Sequence, residues 1–470
     1  MDGHFPSAPR VKRPHLLAAG VGAVICGDFV AWQPANGQGF GCALVSFFVA
    51  AMFYLVLLCT LAEVVSRMGY AEGPSQVAAC IGPRTSFIAG FAEVLKCVFV
   101  MADVATAIGA FMQEIFLTPS QLQPIWWVAF SVVTLLLNTM FFDVSMKALV
   151  VLTGAACSIL LALFFLSLST TFDFAHDVVA GVDPFRRVSL AHMVQVMPAG
   201  LWFFLGVEEL FWFGKFAKDM HHSMPRAMTW SYVMLFVLSC LALLVGATSS
   251  QGSHSMMEHK FPLLDAYVTA LGESDAVRYL CVCLVLGFVA SLHTFTFVAG
   301  QLMTQMAEDN QLPACLAYRS KVTGAPTISA LIATLLALVL AEVIFQAEEY
   351  NYEALRGTFI SAATLCAVFV YIIELVCFFL LRRGSTGNEE KVFTSPFGVP
   401  GAVIALGLSL VFFTCTVVSP FVFSMRVSGM LISLSGLLLA GLFDAVTRCR
   451  KRIVRAADVA APKMSRRPES

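Results

Sequence analysis

Apolar runs of about 20 residues, the length a helix needs to cross a bilayer's hydrocarbon core, recur along the whole chain. They fall at 16–33, 40–61, 86–116, 125–142, 148–169, 191–213, 229–247, 277–303, 327–345, 358–381, 399–418 and 423–443. The pattern predicts an all-α polytopic membrane protein with twelve transmembrane helices. The third run is long enough to require tilt. Polar segments between the runs are short. The longest, 170–190 and 248–276, read as covers rather than domains. Most of the 29 Lys and Arg lie in the loops on the side of the N-terminus or in the tail. That bias predicts two cytoplasmic termini, and termini on one side agree with an even number of spans. The chain then divides into a cytoplasmic tail at 1–15, a twelve-span core at 16–445 and a basic cytoplasmic tail at 446–470. Binding of that last segment to anionic lipid at the inner surface is sufficient to explain its charge.

Two of the runs do not read as plain spans. The first contains GVGAVICGDFVAW, 20–32, where Gly20, Gly22 and Gly27 each lower helix propensity by about 1 kcal/mol relative to Ala. Asp28 follows at what should be mid-membrane, where a carboxylate is expensive unless it faces a cavity or a partner. Close packing through small residues would account for the glycines but not for Asp28. The sixth run contains PAGLWFFLGVEELFWFG, 198–214, with Gly200 and Gly206 around an aromatic stretch and then Glu208 and Glu209. Two helices interrupted at matching places, five spans apart, predict a 5+5 inverted repeat. The repeats would be 16–170 and 191–382, followed by two extra helices at 399–445.

Composition narrows the function classes. At 59% hydrophobic and 13% charged residues, no segment is polar enough for a soluble domain. A formal net charge of −1 says nothing about partners, and no nucleic-acid partner is expected. The 14 Cys lie mostly inside apolar runs, where Cys acts as a small hydrophobe. The close pair Cys281 and Cys283 matches neither zinc nor redox spacing. No disulfide framework, metal or cofactor is expected. A channel would need a continuous polar face through several spans. A membrane enzyme would need a His/Asp or Ser/His constellation. Neither is present in the pattern, which points to a carrier and away from an enzyme. A transporter-like sensor with little turnover is the remaining class.

The intramembrane polar residues carry the candidate chemistry. Asp28, beside a break, would attract an ammonium group and repel a free carboxylate, or would simply cap the broken helix. Glu208 reads as a substrate contact or proton carrier, while Glu209 points elsewhere on the helix. Trp202, Phe203 and Phe204 could close over a cation or serve as packing. Glu93 and Lys96 are three apart and neighbours on one helix face. Lys96 and Asp103 are seven apart and nearly in line. The three form either a packing network or a working set, in which Lys96 replaces a coupling cation or Asp103 binds a distal amine. His293 is a substrate or proton contact, or a hydrogen-bonded structural residue. The pair His221 and His222 has no assigned role.

These segments occur in a familiar order: GVGAVICGDFVAW, GFAEVLK (90–96), LWFFLGVEE (201–209), PLLDA (262–266), ASLHTFTF (290–297), MAEDNQLP (306–313) and SPFGVPG (395–401). In them the chain resembles the amino acid–polyamine–organocation transporters, with the nearest look to the ethanolamine permease branch. The resemblance implies five-plus-five inverted repeats and two extra helices. It implies a small amine or amino acid held between the breaks, against Ile25, Cys26, Gly27 and Asp28 on one side and Trp202, Phe204 and Gly206 on the other. Lys96, Asp103 and His293 would flank it, and Glu208 and Glu93 would serve proton coupling or gating. The expected activity is proton-coupled alternating access in the plasma membrane, with polyamine or cationic amino acid exchange as the alternative and oligomeric state open. The segment after span six, FWFGKFAKDMHHSMPRA, is bulkier and more basic than the family pattern.

Overall fold

The computed structural model describes residues 11–27, 40–68, 73–171, 189–217, 220–248, 274–350, 354–384 and 393–422, with isolated residues between 261 and 272 and between 436 and 448. The regular elements among them are helices: α1 (Arg13–Val24), α2 (Phe40–Met68), α3 (Pro74–Ala78), α4 (Pro83–Phe116), α5 (Gln123–Thr139), α6 (Phe142–Thr171), α7 (Leu190–Leu201), α8 (Met220–Thr248), α9 (Asp275–Leu280), α10 (Val285–Glu308), α11 (Thr327–Glu349), α12 (Ala354–Gly384) and α13 (Gly398–Val422). A long 3₁₀ segment, Val207–Phe216, joins α7 to α8.

Nine helical stretches among the described residues are long and apolar enough to cross a membrane. The first and sixth runs are not among them, because α1 and α7 each stop after 12 residues. The twelfth run, the two long covers and both tails lie largely outside the described residues.

Polarity is arranged as the bilayer demands. Apolar side chains such as Leu331, Leu335, Val339, Val403 and Ile404 are exposed, whereas Glu63, Glu93, Lys96, Glu208, Glu209 and Glu374 are buried. Charges within a span face inward because lipid offers them no partner. The organising element is α4. Pro83 at its first position, after Gly82, starts it without wasting an N–H. Its 34 residues rise about 50 Å, well beyond the ~30 Å of a hydrocarbon core. The most apolar window of α4 is 94% buried, packed against α10, α11 and α12. A second group, α1, α2, α7 and α8, packs together, with α1 also against the 3₁₀ segment. At one end of that group Val11 N–H donates to Phe216 O at 2.7 Å, tying the chain before α1 to the end of the 3₁₀ segment.

Candidate functional site

Both predicted interruptions are present, but their glycines do different work. Gly20 and Gly22 sit inside regular helix. A Cβ at Gly20 would collide with Ser231 of α8, and one at Gly22 with Thr153 of α6. They are therefore points of close helix approach rather than breakers. The helix ends at Val24 and a turn follows at Ile25 and Cys26, earlier than Gly27–Asp28 alone would suggest. The Gly22 carbonyl, near the helix end, accepts from Ser291 Oγ at 2.8 Å. Ile25, Cys26 and Gly27 are buried, and Asp28 lies outside the described residues.

The sixth span is broken by stronger means. Pro198 inside α7 lacks an N–H, turns occupy 202–206, and Gly206 has φ of +111°. Only glycine takes that conformation freely. A Cβ there would also press on the Phe295 ring of α10. Beyond it the chain winds as 3₁₀ through Val207–Phe216, far longer than the three or four residues usual for that helix.

On this unusual segment Glu208 and Glu209 both meet Lys96 of α4. Lys96 Nζ lies 2.7 Å from Glu93 Oε1, 3.0 Å from Glu208 Oε1 and 2.6 Å from Glu209 Oε1. The expectation that Glu209 points elsewhere is corrected. Lys96 reaches the 3₁₀ segment between two successive residues, and its long stem lets one ammonium serve both. Glu208 is held further. Its Oε1 accepts from Tyr371 Oη of α12, and its Oε2 accepts from the Gly206 N–H at 2.9 Å. Tyr371 Oη in turn shares a hydrogen bond of 3.1 Å with Tyr54 Oη of α2. Glu374, one helical turn beyond Tyr371, is buried within Coulombic range of Glu93, Lys96 and Glu208. The cluster thus joins α2, α4, α12 and the interrupted sixth span.

Asp103 does not join it. It pairs with Arg356 of α12 at 2.8 Å, and Arg356 also approaches Glu348 of α11 at 3.7 Å. The stripe expected on the third span is two separate ionic sites. Trp202 is half-buried and donates through Nε1 to Thr364 Oγ1 at 3.0 Å. Phe204 is fully buried, stacked on Phe47 and Tyr232, which makes it part of an aromatic core. His293 lies on the α5–α6 side of α10. Its Nε2 is 3.1 Å from Ser145 Oγ, and its carbonyl accepts from Asn138 Nδ2.

Tyr54, Tyr371, Glu374 and Arg356 were missed from the sequence. Glu374 carried a signal, being a carboxylate in the middle of the tenth run. The tyrosines did not, since any span holds aromatics. Arg356 read as an ordinary loop cation. One oxygen each of Glu93 and Glu209, with Cys97 Sγ, lie within 4.8 Å of one another, close enough for metal ligands. The Lys96 ammonium, however, takes the position a metal ion would need between the two carboxylates.

Comparison with curated proteins gives no match. The amino acid permease family profile matches residues 16–440, from the first helix past the last described one. With nearly the whole chain covered and its helices built for a bilayer, this multi-pass membrane protein belongs to the amino acid permease family, transporters of amino acids or amines rather than enzymes.

Proposed function

We propose that the chain is a proton-coupled secondary transporter of small amines or amino acids. Substrate sits between the interruptions of the first and sixth spans, and access alternates by rocking α1, α2, α7 and α8 against α4, α10 and α12. The observation that carries this reading is the contact of Lys96 on α4 with Glu208 and Glu209 on the 3₁₀ segment. A buried ion pair across two packed groups cannot be pulled apart cheaply, because an unpaired buried charge costs about 3–5 kcal/mol. Movement of one group against the other therefore requires a cation or proton to change places there. The surplus of carboxylates favours a cargo bearing an ammonium group, as does Asp28 from its sequence position. The plasma membrane, with both termini cytoplasmic, is the proposed setting.

The test is uptake of labelled ethanolamine, putrescine, arginine and alanine into proteoliposomes, with and without an inward proton gradient. Gradient-driven accumulation of at least one compound is expected. Uptake that ignores the gradient would remove the coupling, and a preference for alanine over all amines would remove the charge argument.

A further inference from the structure

Counting hydrogen-bond partners separates the two adjacent glutamates of the sixth span. Glu208 has no oxygen to spare. Oε1 accepts from Lys96 and Tyr371, and Oε2 accepts from the Gly206 N–H. Both oxygens are thus already engaged in holding Lys96, Tyr371 and the backbone of the interruption. Glu209 and Glu93 differ. Each has one oxygen near Nζ, at 2.6 and 2.7 Å, and each has an Oε2 with no hydrogen-bond partner although the residue is 1% exposed. Two buried carboxylates that share one ammonium through Oε1 and leave Oε2 without a partner are costly as charges and as acceptors.

We propose that the coupling proton is held between Glu93 and Glu209, and that Glu208 is a positioning residue that keeps the interruption in shape. The proton arrives from water, binds one free Oε2, and the resulting O–H donates to the other carboxylate. One negative charge is removed and both orphaned oxygens gain a partner. Glu93 rides on α4 and Glu209 on the interrupted span, so parting the two elements splits the pair and releases the proton. Lys96 and Cys97 face this pair from α4 and Glu208 from the 3₁₀ segment. From α12 come Glu374 and Cys366, each within Coulombic range of Glu93. Tyr371 and Tyr54 lie behind Glu208 as a hydrogen-bonded chain. The inference rests on the proton coupling proposed above, but its first test does not involve transport.

That test is infrared difference spectroscopy of the full-length purified protein, reading the carboxylic-acid C=O band that shifts in deuterated buffer. A band at neutral pH is expected in the unaltered protein. It should be lost in Glu209→Gln and in Glu93→Gln, and kept in Glu208→Gln. If one variant elutes aggregated, the other decides. No band in the unaltered protein, or a band lost only in Glu208→Gln or Glu374→Gln, overturns the assignment. In proteoliposomes given the same four labelled compounds, Glu209→Gln should lower the ratio of gradient-driven to gradient-free uptake about tenfold, a typical size for coupling between sites. An unchanged ratio overturns the coupling role. A band that behaves as expected in a protein that ignores the gradient keeps the proton site and removes the transport reading instead.

Discussion

Along α4, Lys96 and Asp103 stand seven residues and about 10 Å apart, and each anchors a buried ionic site built with α12. The sites are charged very differently. Asp103 has one carboxylate against the Arg356 guanidinium, which leans towards Glu348 and is 17% exposed. Lys96 has three carboxylates within 3.0 Å of a fully buried ammonium, and a fourth, Glu374, nearby. The first site is close to balanced and fixes α4 against α12. The second cannot be balanced by its own residues. Full ionisation would leave an excess of negative charge in a place where isolated charge is not tolerated. A balanced pair is a fastener, whereas an overcharged cluster demands an exchangeable positive charge.

The largest expected effect comes from removing the cation that the overcharged site shares. Lys96→Met should destabilise the protein by about 3–5 kcal/mol, read as loss of monodisperse protein and a lowered melting temperature in detergent. Arg356→Met should cost less, about 1.5–3 kcal/mol, the contribution of a hydrogen bond to a charged group. The same melting assay ranks the two, and a reversed order would break the comparison. Neutralising both partners sharpens it. Asp103→Asn with Arg356→Gln should recover most of the stability lost in Arg356→Met, since both charges leave together. Lys96→Met with Glu208→Gln should recover little, since Glu93 and Glu209 remain. Gly206→Ala should cost about 1–3 kcal/mol through its positive φ and press on Phe295, slowing uptake in the proteoliposome assay. The smallest effect is expected from Trp202→Phe, which gives up the hydrogen bond to Thr364 for about 1 kcal/mol. A melting temperature barely moved from that of the unaltered protein would agree with it.

Much of the architecture was legible in the hydrophobic pattern. The long runs became the long helices, because twenty apolar residues in lipid have few options other than a helix that satisfies its own backbone. The interruption of the sixth span was legible through Gly206, which withdraws support from the helix, whereas Gly200 lies inside α7 against Ser46. Gly20 and Gly22 misled, because the same residue that weakens a helix also lets two helices touch. Only their neighbours, Ser231 and Thr153, decide which role applies.

The site was readable as a set of residues but not as a set of partners. Sequence by itself determined that Glu93, Lys96, Asp103 and Glu208 had to be inside the bundle, because charges in a span cannot face lipid. It also determined that Glu93 and Lys96 were neighbours, because they share one helix turn. The tertiary structure alone decided that Lys96 takes both glutamates of the sixth span, that Asp103 belongs to Arg356, and that Tyr54 and Tyr371 complete the cluster. Those pairings join helices distant in the chain. Their choice depends on how α4, α12 and the 3₁₀ segment cross in space, and no local spacing encodes that.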